Sequence, residues 1–75
     1  MSAHRPATDE EMLQKYPRRS RTPDWFIRVE EVSLGVYRVS ARSRTGHECG
    51  HTGIAGTDED VERLIDIVEG YIANN

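Results

Sequence analysis

The residues best suited to chemistry in this 75-residue chain lie in one short run, His47-Glu48-Cys49-Gly50-His51, which reads H-E-x-x-H. In zinc proteases that string lies on a helix, where two histidines one turn apart coordinate the metal and the glutamate acts as base. Here Gly46, Gly50 and Gly53 surround it, and glycine is a poor helix former. As a strand, the segment would hold its histidines about 13 Å apart, too far for one ion. No third ligand follows at the metzincin spacing. A structural zinc centre at Cys49 needs four protein ligands, and beyond His47 and His51 only His4 offers another imidazole. Neither a metal nor a cofactor is expected.

Gly50-His51-Thr52-Gly53-Ile54-Ala55-Gly56-Thr57 leads from a strand into a helix, where glycine-rich loops cradle phosphates. Asp58, Glu59 and Asp60 fill the first helical turn, repel phosphate and leave no lysine to reach it. No serine, histidine and acid arrangement stands out, so the chain is read as a non-enzyme.

Arginine is the remaining signal. Lys15 is the only lysine among ten basic residues, and the planar guanidinium suits phosphate and carboxylate. The net charge of -3 is unevenly spread: residues 17–47 sum to +4 and residues 58–75 to -5. Such a chain either draws an anionic partner to its middle or pairs its own halves. The candidate binding residues are Arg18, Arg19 and Arg21 in a basic linker, and Phe26, Arg28, Arg38 and Arg42 on one sheet face. Arginine interleaved with an aromatic on an open sheet suits nucleic-acid backbones and base stacking.

These residues must be positioned by a small structure. At 8.5 kDa, with 36% hydrophobic residues and a mean hydropathy of -0.70, the chain has material for one core. A single cysteine excludes an internal disulfide. No apolar run reaches membrane-spanning length, so no membrane contact is expected. The first six residues carry no apolar stretch of the kind a targeting segment needs, and the expected location is cytoplasmic.

Thr8 and Glu11 have capping-box spacing, and Met12, Leu13 and Tyr16 share a face of the short helix they open, which Pro17 ends. Residues 1–24 are read as an arm holding this helix and the basic linker, and residues 25–75 as a β-β-β-α domain. Trp25 to Val32 and Val36 to Ser43 alternate as strands. A three-residue loop with Gly35 in the left-handed position sets Val29 opposite Val39, Ile27 opposite Ala41 and Glu30 opposite Arg38. Glu48 to Ala55 is read as a third strand. A tight turn at Thr45-Gly46 would set Ile54 beside Tyr37 and Thr52 beside Val39 on the core side, with Cys49, His51 and Gly53 outside. A slip of one residue would reverse every one of these assignments. Thr57 caps a final helix whose Val61, Leu64, Ile65, Val68, Tyr71 and Ile72 form an apolar stripe; Ile67 falls beside its centre and, with Tyr71, is read as a second contact surface.

The expected fold is therefore α+β: a three-stranded antiparallel meander covered by the C-terminal helix, with a short N-terminal helix. The order helix, three strands, helix is similar in topology to double-stranded RNA-binding domains, a family that opens its last helix with lysines where this chain has Thr57-Asp58-Glu59-Asp60. Gly56-Thr57-Asp58-Glu59-Asp60 opening a helix after strands also resembles HicB-type antitoxins, without their proline- and glycine-containing segment. Neither family is assigned. The expected function is a non-catalytic interaction module binding a protein partner or itself as a homodimer. Nucleic-acid binding through the arginines is the alternative.

Overall fold

A computed structural model describes residues 5–74; His4, the other residues of 1–4 and residue 75, which belong to the two segments read above, lie outside them. The chain forms α1 (Asp9–Lys15), β1 (Arg18–Arg19), β2 (Trp25–Ser33), β3 (Val36–Ser43), β4 (Glu48–Ile54) and α2 (Asp58–Ala73). The α+β class holds, but the antiparallel sheet has four strands in the order β1-β2-β3-β4 rather than three. The added strand comes from the segment read as a basic linker: Arg18 pairs with Ile27 and Arg19 with Phe26. Two arginines carry no β pattern of their own, and the free edge of β2 imposes the extended form.

The β2–β3 register is as expected, with Ile27 opposite Ala41, Val29 opposite Val39 and Glu30 opposite Arg38. The turn, however, is the two residues Leu34–Gly35 rather than the expected three: Ser33 pairs with Val36, and the extra residue is absorbed as a bulge at Val32, where the register shifts. Gly35 takes φ +74°, a conformation glycine adopts without a steric penalty.

The β4 register is one residue away from the expectation. Arg38 faces Thr52, Val39 faces His51 and Ala41 faces Cys49. The cause is the turn. Ser43 N–H donates to the His47 carbonyl at 2.9 Å, so the loop is three residues long, Arg44 to Gly46, with Gly46 at φ +98°. Cys49, His51 and Gly53 consequently face α2, and Ile54 points outward at 83% exposure.

Odd-numbered residues of β2 and β3 pack beneath α2. Ile27, Val39 and Ala41 join Ala55, Leu64, Ile65, Val68 and Ile72 in the main core, with Cys49 and Val61 at its margin. Leu64 lies so close above Gly53 that a Cβ there would sit 2.6 Å from Leu64 Cδ2, which explains how a strand without an inward aliphatic residue still supports a helix. On the other face α1 covers one end of the sheet, and Met12, Tyr16 and Phe26 form a second, small core. Thr8 and Glu11 complete the capping box at the start of α1. Seven residues are too few for a helix stable in isolation, so α1 depends on these contacts.

Candidate functional site

Every arginine in the chain meets a carboxylate. Arg18 grips Glu62 of α2 through both terminal nitrogens, at 3.1 and 3.0 Å, a bidentate geometry that fixes orientation as well as charge. Arg21 reaches Asp66, and its backbone N–H donates to Glu69 at 3.0 Å. Glu69 also accepts from the Ser20 hydroxyl. It is a buried carboxylate, 8% exposed, and it ties the segment after β1 to the middle of α2. Arg19 pairs with Asp9 at 3.0 Å and lies over the Phe26 ring. Arg44 joins Asp9 and Asp24 and covers the same ring.

Arg28, Arg38 and Arg42 do share one sheet face, as their even register positions require. Arg28 sits over Tyr16, 5.3 Å from the ring centroid, with its Nε buried and without a hydrogen-bond partner. Glu30 lies 3.6 Å from Arg28 and 3.8 Å from Arg38, and Glu48 lies 3.3 Å from Arg42. Phe26 is also on this face, yet α1 seals it to 1% exposure. The seven singled-out residues thus divide in three. Arg18 and Arg21 hold α2, Arg19 and Phe26 belong to the α1 contact, and Arg28, Arg38 and Arg42 line the sheet. Sequence reasoning did not single out Glu62, Asp66, Glu69 or Arg44; the opposite charges of the two halves were the available signal.

The H-E-x-x-H string is extended. Glu48 faces Arg42 on one side of the sheet, whereas Cys49 and His51 face α2 on the other. Tyr71 Oη lies 3.4 Å from His51 Nδ1, and burial pushes the Cys49 thiol pKa upward. Among the described residues no group of three His, Cys, Asp or Glu side chains converges as a metal site. At the start of α2, Thr57 Oγ1 accepts from Asp60 N–H at 3.1 Å, and Asp60 Oδ2 accepts from Gly56 N–H at 3.1 Å. The protein's own oxygens take up these donors. In a cleft of about 730 Å³ between Thr22, Trp25, Arg44, His47 and Ile72, polar groups of the lining bond to one another: Arg44 Nε donates to Asp24, and His47 N–H donates to the Ser43 hydroxyl oxygen.

The two sheet edges differ. β1 is a two-residue edge of arginines locked to α1 and α2. β4 is seven residues long, regular, and free of lysine and proline, the features with which proteins usually blunt an edge. Its ladder to β3 uses odd-numbered residues, from His47 to Ala55, whose N–H donates to Gly35 at 2.9 Å. In an antiparallel pair the alternate residues point the other way, so the N–H and C=O groups of Glu48, Gly50, Thr52 and Ile54 face outward. Exposed apolar side chains lie around this edge: Ile54 on one face, Ile67 and Tyr71 of α2 on the other. Leu34, at the β2–β3 turn, is 94% exposed. No helix among the described residues is long and apolar enough to cross a membrane. Comparison with protein-family models, with curated proteins and with solved structures finds no match to this chain.

Proposed function

We propose that this chain is a small, non-catalytic, cytoplasmic interaction module that recognises protein, either a partner or a second copy of itself. The observation that carries the reading is the open edge of β4, a row of unpaired backbone donors and acceptors flanked by exposed Ile54, Ile67 and Tyr71. Main-chain groups along such an edge give affinity, and the neighbouring side chains give selectivity. The carboxylates beside every arginine argue in the same direction. A nucleic-acid surface needs a field of unanswered positive charge, and here Glu30 and Glu48 sit beside Arg28, Arg38 and Arg42. No cofactor or metal enters this reading.

Fluorescence anisotropy with labelled single-stranded and duplex oligonucleotides at low salt and at about 0.3 M salt tests it against the alternative. The reading expects no saturable binding. Binding that falls steeply with salt and is lost in an Arg38→Ala, Arg42→Ala variant would replace it with nucleic-acid recognition through the sheet face.

A further inference from the structure

The geometry points to a second copy of this chain as the occupant of the β4 edge, joined antiparallel so that two four-stranded sheets become one. This deepens the interaction reading above and rests on it. Strand addition needs outward backbone groups, little charge along the strand, and a register that sets no like charges opposite one another. All three are present. The outward groups belong to Glu48, Gly50, Thr52 and Ile54, and the one charged residue on the strand is Glu48.

Two copies of β4 overlap over their whole length when Glu48 faces Ile54 of the other copy and Gly50 faces its Thr52. That register closes about eight backbone hydrogen bonds and places no like charges opposite one another. Shifting the strands to bring Glu48 against Glu48 loses overlap and opposes two carboxylates. The full-overlap register places His51 on the two-fold axis, facing α2. Tyr71 contacts His51, and Ile67 lies one turn away on the same flank of the helix. The half-exposed apolar flank of α2 therefore meets its own copy above the joined sheet. The opposite flank carries Glu62, Asp66 and Glu69, already bound to the β1 segment. The strand at the other edge has two residues and offers no comparable row. An edge of seven residues is a small interface, at the low end of specific associations, so the dimer forms with increasing concentration.

The test uses the full chain at concentrations from about 5 µM to about 500 µM, with light scattering for mass and amide hydrogen exchange by NMR. The expected mass rises toward twice 8.5 kDa. With it, the Gly50, Thr52 and Ile54 amides, which face solvent in the monomer, become protected by about tenfold or more. Charge variants at the exposed Ile54 keep the fold and read the register. Ile54→Glu faces Glu48 of the second copy and raises the dissociation constant about tenfold, counting both symmetric contacts, whereas Ile54→Lys faces the same carboxylate and lowers it. A chain that stays monomeric at the highest concentration overturns the inference, as does a dimer in which these amides stay fast, or Glu and Lys variants that move the constant in the same direction. Any of these results leaves the wider interaction reading standing if the oligonucleotide titration is negative; a positive titration removes that reading whatever the oligomeric state.

Discussion

Replacing Glu69 by alanine probes how residues 18–24 are held. The carboxylate is buried at 8% exposure and accepts from the Ser20 hydroxyl and from Arg21 N–H at 3.0 Å. Hydrogen bonds to a charged acceptor contribute about 1.5 to 3 kcal/mol each, but removing the carboxylate also removes its desolvation penalty and lets water reach the freed donors. A net loss of about 2 kcal/mol follows. With a urea slope of about 1 kcal/mol/M for a domain this small, the midpoint moves down by about 2 M, readable through the fluorescence of Trp25, the only tryptophan. Glu69→Gln keeps the shape and one acceptor oxygen, and loses about 1 kcal/mol or less. A double-mutant cycle with Ser20→Ala should give a coupling of about 1 kcal/mol, because the two side chains touch. Unfolding of Glu69→Ala within about 0.5 kcal/mol of the parent, as for an ordinary surface substitution, would refute the reasoning and return the segment to an untethered linker.

Three further outcomes follow from particular contacts. Met12→Ala removes a third of the small core that holds α1, so trypsin should cleave after Lys15 several-fold faster while the Trp25 unfolding midpoint moves little. Glu11 is lowered from 4.5 to about 2, first by the Thr8 backbone N–H, then by hydrogen bonds from Arg5 and the Thr8 hydroxyl. Its stabilisation of α1 is therefore complete above about pH 4.5 and is lost as pH falls through about 2, visible as the Thr8 and Glu11 amide shifts moving together. Because burial raises the Cys49 pKa, iodoacetamide at pH 8 should alkylate it more slowly than a free cysteine, and urea should restore the ordinary rate.

The first hairpin was legible because several independent signals agreed on it. Gly35 marked the left-handed turn position, and the same register placed apolar residues opposite each other and Glu30 opposite Arg38. The third strand is legible in the sequence but its register is not, for two physical reasons. Thr45-Gly46 suggests a two-residue turn, whereas Gly46, at positive φ like Gly35, ends a three-residue loop. Ile54, the only large aliphatic residue of that strand, suggested the inward face, whereas the space is filled from above by Leu64 over Gly53. β1 has no intrinsic pattern and forms only through the edge of β2. Alternation placed Phe26 correctly on the face opposite the main core, but no local feature revealed that α1 would cover it. The arginines were visible as residue types; that each meets a carboxylate depends on long-range contacts such as Arg18 to Glu62, 44 residues apart.

The β4 register determines which groups the open edge presents, and an assignment of Hα–Hα contacts across β3 and β4 by NMR tests it most directly. In the non-hydrogen-bonded pairs of an antiparallel ladder the Hα protons face each other. The account predicts cross-peaks between Arg38 and Thr52, Ser40 and Gly50, and Val36 and Ile54. Cross-peaks placing Thr52 against Val39 and Ile54 against Tyr37 would contradict it, turning Ile54 into the core and giving the edge a different set of groups.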